Sequence, residues 1–399
     1  MTVRHGAHRR ARLYRLSQAI ILAAGMAGLV SAASAQMRDD TAATDVEPLM
    51  RQGGGDQLNA APMAGTMIAR AFHHDVGLNA RAYAGGGGIG GLFDRVRLAA
   101  LNTGTASDAV HPMGAYGSAS RNVWLRGMAM DGKLGGDAQT AGSSYRATGL
   151  VGGVALGLAP GVTAGVAFTA MSGRVSTSGS ADSTRIRTPM LAMFAARADG
   201  PLQMSGSLSL GRPNYRSERG VTLAGVSSTA TGDRDGTEVG LNLEASYGLR
   251  PGFAGLSGEL RPFVAVQAQR TCIDGFTESG AGAADLTVSA SRLSTSSGTT
   301  GLRHAVPLND GRAAVESRIG LLHEFGSRRA SIDANFVGAL AGTGFTTEGS
   351  ALKRNALLLG LGIGGEVAKH WNLFADLSFE TRGSGQNTTG LALQLRKQW

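Results

Sequence analysis

The sequence predicts an all-β membrane protein, an antiparallel up-and-down barrel of about twelve strands like those of outer membranes. Three observations lead to this prediction. Apolar and polar residues alternate with period two through the last two thirds of the chain, as strands with one apolar face require. Short turns alternate with long polar loops. No apolar run approaches the roughly 20 residues of a spanning helix, so only a closed barrel could satisfy the backbone within a membrane.

The final strand shows this alternation most compactly. Leu391, Leu393 and Leu395 alternate with smaller or polar residues, and the chain stops on the aromatic Trp399. Five further segments alternate as cleanly, and six do so less cleanly. The clean segments are residues 162–169, 202–210, 239–247, 357–366 and 371–380, and the others are 122–134, 145–158, 186–198, 260–272, 295–306 and 313–325. Each is close to the ten-residue length of an outer-membrane strand.

The connections between these segments are short and long in turn. The short turns lie at residues 159–161, 198–201, 309–311 and 368–370, and the long loops at 172–184, 211–236, 273–294 and 326–354. An up-and-down barrel produces this pattern, with turns at its periplasmic end and loops at its outer end.

Single charged residues lie on the face of the strands that we predict to point inward. They are Glu244, Glu316, Arg318 and Asp376. In the core of a soluble β-sandwich such charges would be costly unless paired, whereas in a water-filled lumen they are ordinary. This contrast favours a membrane barrel over a sandwich.

Residues 1–35 have the features of a secretory signal peptide. A basic stretch with five arginines precedes the apolar segment 19–30, and Ala33-Ser34-Ala35 is a small-residue cleavage site, so the mature chain is predicted to begin at Gln36. Removing these five arginines lowers the net charge from +9 to +4, and no basic stripe interleaved with aromatics remains. A nucleic-acid partner is therefore not expected despite the high isoelectric point. The lone Cys272 cannot form an internal disulfide.

Residues 36–119 form a poorly patterned segment between the leader and the predicted barrel domain, residues 120–399. Residues 85–91 are nearly all glycine and read as a flexible linker. Helical candidates lie on either side, at residues 57–72 and at Leu92 to Leu101. The whole segment is too poor in apolar residues for a large core of its own.

Motifs that could carry chemistry are weak in this sequence. Residues 360–365 fit G-x-G-x-x-G, but another alternating strand follows where a dinucleotide site needs a helix, so no cofactor is expected. His73-His74 lacks companion metal ligands, so we expect no metal site. His323 and Glu324 are neighbours on a strand and face opposite sides, which excludes a direct acid–base pair. We place His323 near a membrane interface and Glu324 on the inward face. An outer-membrane hydrolase is the enzymatic alternative, but no G-x-S-x-G motif occurs, and His304 and His370 lie near predicted periplasmic turns. We predict no catalytic residues.

From about residue 122 to the end, the chain resembles an autotransporter β-domain, the translocator of self-exporting outer-membrane proteins. Four pieces carry the resemblance, together with the aromatic carboxyl terminus. They are residues 274–281 (DGFTESGA), 301–303 (GLR), 323–325 (HEF) and 334–336 (ANF). Two features depart from the family pattern. Lys397 stands where the family usually has Tyr or another apolar residue, and no long β-helical passenger precedes the domain.

The resemblance implies a twelve-stranded barrel with a helix threaded through its lumen and joined to an N-terminal passenger. It also implies periplasmic chaperones and the barrel-assembly machinery as partners. That machinery would read the terminal strand through Leu391, Leu393, Leu395 and Trp399. The expected location is the outer membrane of a Gram-negative bacterium, with outer-membrane lipid around a monomeric barrel and the N-terminal segment at the cell surface.

Three glycines on one strand would leave room for the implied lumenal helix. Gly360, Gly362 and Gly364 fall on the inward face of one strand, where missing side chains would let a helix backbone approach closely. The candidate plug is Leu92 to Leu101, and residues 108–117 are an alternative threaded segment. Deleting Leu92 to Leu101 should raise the ion conductance of the reconstituted barrel.

The sequence therefore predicts a noncatalytic autotransporter-type barrel that translocates and anchors a short N-terminal passenger. A passenger-free pore or structural surface barrel is the alternative, and a hydrolase is a more distant one.

Overall fold

A computed structural model describes residues 55–83 and 121–399, apart from positions 139, 224–225, 250–257, 309–312, 340–342 and 384. The elements in chain order are α1 (Gly55–Tyr83), β1 (Arg121–Leu134), β2 (Ser143–Ala159), β3 (Val162–Thr177), β4 (Ser183–Asp199), β5 (Leu202–Gly211), β6 (Asn214–Leu223), β7 (Val226–Tyr247), β8 (Glu259–Ile273), β9 (Phe276–Thr277), β10 (Leu286–Val288), β11 (Ser291–Leu308), β12 (Ala313–Glu324), β13 (Ser331–Phe336), β14 (Phe345–Glu348), β15 (Asn355–Ala368), β16 (Trp371–Thr381) and β17 (Asn387–Gln398). Within these ranges, no helix is long and apolar enough to cross a membrane.

Twelve antiparallel strands close into an up-and-down barrel. The first and last strands, β1 and β17, pair with each other, and Arg121 and Trp399 exchange two backbone hydrogen bonds of 3.1 Å at this seam. β5 and β6 act as one strand that is interrupted at Arg212-Pro213, where proline has no N–H to donate to the ladder. All twelve segments that alternate in the sequence are strands of this barrel, so the predicted fold is confirmed.

The apolar residues of the alternating segments point outward, as predicted. Phe168, Leu191, Leu241, Leu361 and Leu393 are 41–55% exposed and belong to a band of large apolar side chains around the barrel. Their intervening neighbours are buried against the lumen. The terminal residues Leu391, Leu395 and Trp399 are exposed on the same outer surface.

Two of the predicted long loops are largely strand, which corrects the sequence interpretation. β3 and β4 extend to Thr177 and Ser183, and β6 and β7 form a hairpin joined near Leu223 and Val226. Beyond the lipid both faces of a strand can be polar, so the alternation that marks a strand disappears while the backbone ladder continues.

The other two long connections fold into a small sheet at the same end of the barrel. Its strand order is β14-β13-β10-β9, with β9 and β10 from the connection after β8 and β13 and β14 from the connection after β12. We call it the cap sheet. Its apolar side packs against Leu58 of α1 through Leu286, Val288, Ile332 and Ala334, all of which are nearly inaccessible to solvent.

Candidate functional site in the barrel lumen

Helix α1 lies inside the barrel and packs mainly on β3, β4 and β5. Its apolar side chains join those of the adjacent strands in one buried cluster. The helix contributes Met63, Met67, Ile68, Phe72 and Val76, and the strands contribute Val151, Met171, Val175, Ile186, Met190 and Phe194. Burying each large side chain contributes about 1.5–3 kcal/mol. The inward surface of these strands is an apolar wall rather than the polar surface expected throughout the lumen.

Every residue of α1 from Gln57 to Arg70 is buried, so its polar side chains need partners within the protein. The Nε2 atom of Gln57 donates to Thr184 Oγ1 at 2.8 Å, and Thr66 Oγ1 donates to the Pro62 carbonyl at 3.1 Å. Near the helix start, the Arg234 guanidinium donates to the Leu58 carbonyl at 2.9 Å. The Gln57 and Arg234 bonds tie the start of the helix to β4 and β7, whereas the Thr66 bond lies within the helix.

Close packing also depends on one glycine of the helix. A Cβ atom at Gly65 would lie 3.0 Å from the hydroxyl oxygen of Tyr215, a residue of β6 that is fully buried. Glycine at this position lets the tyrosine ring lie against the helix backbone.

Arg70 is the charged anchor between α1 and the opposite side of the lumen. Its Nη1 and Nη2 atoms donate to the two carboxylate oxygens of Glu324, at 2.7 and 3.3 Å. Glu324 also accepts from Arg382 at 2.7 Å, and Arg382 Nε donates to Glu380 at 2.6 Å. Two cations and two carboxylates thus alternate in a buried network. Sequence reasoning placed Glu324 inward but did not identify Arg70 or Arg382, because no local pattern joins residues so far apart.

The wall opposite the apolar one is charged. Glu244 accepts two hydrogen bonds from Arg303, at 2.7 and 2.8 Å, and the Arg303 guanidinium lies 3.9 Å from the centre of the Phe263 ring. Asp376 lies 3.3 Å from Arg318 and 3.6 Å from Arg126. We call this surface the charged wall.

The four charges predicted to face the lumen therefore lie inside the barrel. Glu316 is buried on the inward face of β12, and the others form the pairs just described. A cavity of about 190 Å³ separates part of α1, at Met67 and Arg70, from the charged wall.

The glycines predicted to make room for a helix lie on the inward side of β15, but the helix packs elsewhere. A Cβ atom at Gly360 would lie 2.2 Å from Nε of Arg318, so the space there is filled by an arginine side chain. Gly362 and Gly364 are buried on the same face. The predicted plug, Leu92 to Leu101, and its alternative, residues 108–117, lie outside the described residues, as do Ala35 and Gln36 of the predicted cleavage site.

The family model of the autotransporter beta-domain matches residues 123–378, which is more than half of the chain. The chain belongs to the autotransporter β-domain family. Members of this family are outer-membrane proteins of Gram-negative bacteria. No curated protein matches the sequence.

Solved structures of two autotransporters resemble this β-domain. The translocator domain of autotransporter NalP from Neisseria meningitidis is 18% identical, with 70% of this chain and 88% of that chain covered and a TM-score of 0.56. The β-domain of the Bordetella autotransporter BrkA is 17% identical, with 70% and 100% covered and a TM-score of 0.49. At such low identity, the likeness to NalP shows a shared fold alone.

The sequence pieces that carry the family resemblance lie at internal contacts of this autotransporter β-domain. Glu278 is fully buried and pairs with Arg219 at 2.5 Å, which ties the cap sheet to the β6–β7 hairpin. Arg303 and Glu324 belong to the lumenal pairs, and Ala334 lies in the core of the cap sheet. The atypical Lys397 is accommodated by aromatic rings, since its Nζ atom lies 5.2 Å from the centre of Trp371 and 5.3 Å from that of Trp399.

Proposed function

We propose that this autotransporter β-domain translocates a short N-terminal passenger and anchors it at the cell surface, without catalysing a reaction. The observation that carries the proposal is the direction in which α1 runs through the lumen. The start of the helix lies at the long-loop end, where Asp56 accepts a hydrogen bond from the Ala141 amide at 2.9 Å and Leu58 packs under the cap sheet. The described start of α1 therefore lies at the end that carries the long loops, which in outer-membrane barrels is extracellular, and a passenger joined to it would be displayed there.

The position of the first barrel strand supports the same passage from the inner to the outer end of the barrel. β1 begins at Arg121, beside Trp399, at the end of the barrel that carries the short turns. The chain between Tyr83 and Arg121 has to connect the lumenal helix to this inner end. A segment that passes from the inner end through the lumen to the outer surface is the arrangement expected of a translocated chain that stays attached to its barrel.

The histidines of the barrel strands and turns lie away from the lumenal carboxylates. His323 lies on the outer surface and bonds Asn355 Oδ1 at 2.6 Å, and His370 occupies the turn after β15 with a positive φ of 68°. His304 alternates with the inward Arg303 and so lies on the outward face. Among the described strands, none of these imidazoles faces the lumenal carboxylates, which a hydrolytic site there would require.

Surface exposure of the N-terminal segment tests the proposal. An epitope tag inserted within residues 36–54 should be accessible to antibody and protease on intact cells. The matched control carries the same tag in the connection of residues 250–257, at the short-turn end, and should react only after the outer membrane is opened. A tag within residues 36–54 that stays protected on intact cells would favour the passenger-free pore or structural barrel instead.

A further inference from the structure

Four arginines lie side by side on the outward surface near the long-loop end of the barrel. The strand register pairs Arg146 with Arg174, Arg174 with Arg185, and Arg185 with Arg216. All four side chains are exposed, and we call them the arginine row. Residues paired directly across antiparallel strands have Cβ atoms about 5 Å apart. The fold thus places four positive charges in one row across the adjacent strands β2, β3, β4 and β6.

Among the described residues, salt bridges form only at the two ends of this row. Arg146 Nε lies 3.2 Å from Asp131 Oδ2, and Arg216 Nε lies 4.0 Å from Asp233 Oδ1. Arg174 donates to the Ser183 hydroxyl at 2.7 Å. In the described part of the chain, neither Arg174 nor Arg185 forms an ion pair. Like charges directly opposite one another destabilise a sheet, so anions from outside the protein would stabilise the centre of the row.

The height of the row relative to the apolar band indicates what those anions are. Ala170 and Pro189 are paired at the upper edge of the band, just above the exposed Phe168 and Leu191. Arg174 lies four residues after Ala170 on β3, and Arg185 lies four residues before Pro189 on β4. Four residues span about 13 Å along a strand, or about 10 Å along the membrane normal for a tilt of about 40°. Long arginine side chains at this height reach the headgroup layer, which is roughly 5–8 Å thick on each side of a bilayer.

Arg187 adds a further cation on the same face. It lies two residues nearer to the apolar band than Arg185 and pairs with Ser172 and Asn214 in the register. Its side chain is also exposed. The basic patch therefore extends from the row toward the lipid boundary, where headgroup phosphates lie.

We propose that the arginine row and Arg187 bind the phosphate groups of the glycolipid in the outer leaflet of the outer membrane. The guanidinium group suits this ligand because its forked donors match two phosphate oxygens at once. The site would hold the glycolipid on one side of the barrel, beside the wall against which α1 packs. This proposal depends on the outer-membrane location of the family and on the outward direction of the long loops, and it does not depend on a passenger.

The test compares two double variants of the full-length mature protein in neutral detergent. R174Q/R185Q removes the two unpaired charges of the row. The matched control, R197Q/K369Q, removes two exposed charges at the short-turn end. Binding of diphosphorylated lipid A is measured by native mass spectrometry, with dephosphorylated lipid A and inorganic phosphate as separate probes. We expect R174Q/R185Q to bind diphosphorylated lipid A roughly tenfold to thirtyfold more weakly, at about 1 kcal/mol per arginine, and the control to bind it like wild type.

Thermal unfolding separates binding from a purely structural role. Because R174Q/R185Q relieves repulsion between like charges, it should unfold in neutral detergent at the same temperature as wild type or a higher one. Equal lipid A affinity in wild type and R174Q/R185Q would overturn the proposal, and so would an equal loss in the control variant. Equally tight binding of dephosphorylated lipid A would also overturn it. Displacement of the glycolipid by low millimolar inorganic phosphate would show a site for free phosphate instead of lipid.

Discussion

Glu324 shows how strongly the role of one residue depends on the face of its strand. Its carboxylate is 2% exposed and lies between the guanidinium groups of Arg70 and Arg382. The preceding residue, His323, lies on the outer surface beside Asn355. Period-two geometry separates these neighbours completely. One of them holds the lumenal helix, and the other faces away from it.

The substitution Glu324→Gln should loosen α1, because it leaves the buried guanidinium group of Arg70 without its carboxylate, whereas Arg382 keeps Glu380. Removing one partner from a buried ion pair costs about 3–5 kcal/mol. We expect a lower unfolding temperature and a higher or noisier ion conductance in planar bilayers. The control His323→Ala changes the adjacent outward residue and should leave both measurements unchanged. Wild-type conductance and stability in Glu324→Gln would show that this network does not hold the helix.

At the scale of an element, α1 is a helix that packs against the barrel strands and, at its start, against the cap sheet. Residues 57–72 were a helical candidate in the sequence, and the helix extends from Gly55 to Tyr83. The polar stretch at His73-His74-Asp75 interrupts the apolar pattern, so the sequence did not reveal the second half. The threaded helix implied by the family resemblance is therefore present, in a segment that precedes the predicted plug.

Deleting residues 55–83 should raise the conductance of the reconstituted barrel, since the helix occupies the lumen along the apolar wall. Deletion of residues 92–101, the segment predicted to be the plug, is the matched comparison. A larger increase for the first deletion would identify α1 as the main obstruction. Unchanged conductance after removal of residues 55–83 would mean that other elements close the pore.

The strands provide a second prediction, which concerns membrane depth. Leu241 on β7 is exposed within the apolar band, and Thr237 is exposed on the same face four residues closer to the outer rim. An arginine near the midplane of the lipid costs about 2–4 kcal/mol, against about 0–1 kcal/mol near the interface. Leu241→Arg should therefore reduce folding into lipid vesicles far more than Thr237→Arg. Equal folding of the two variants would show that Leu241 and Thr237 are not at different depths in the membrane.

At the scale of the whole molecule, the barrel is asymmetric inside and covered at its outer end. One half of the lumen is apolar and packs α1, whereas the other half carries paired charges. The cap sheet, the β6–β7 hairpin and the start of α1 meet above this lumen through Leu58, Arg234 and the Arg219–Glu278 pair. These contacts make the outer mouth a packed assembly around the start of α1.

The substitution Ile332→Asp should open this assembly without unfolding the barrel. Ile332 is 2% exposed in the core of the cap sheet, and an unpaired carboxylate there is strongly disfavoured. We expect faster hydrogen exchange in β10 and β13, with the barrel strands unchanged. The neighbouring Asp333 is exposed, so Asp333→Ala is the control and should leave the exchange of β10 unaffected. Identical exchange in the two variants would argue against a cooperative cap.

The sequence by itself determined the twelve strands and their outward faces. Residues such as Leu391, Leu393 and Leu395 reveal the lipid-facing surface because strand periodicity is a local property of the backbone. It also placed Glu244, Glu316, Arg318 and Asp376 inside. Only the tertiary structure decided which charges pair, which helix enters the lumen, and how the polar loops form a cap. Those contacts join distant residues, such as Arg70 and Glu324 at a separation of 254 positions, and they exist only once the closed barrel brings the strands together.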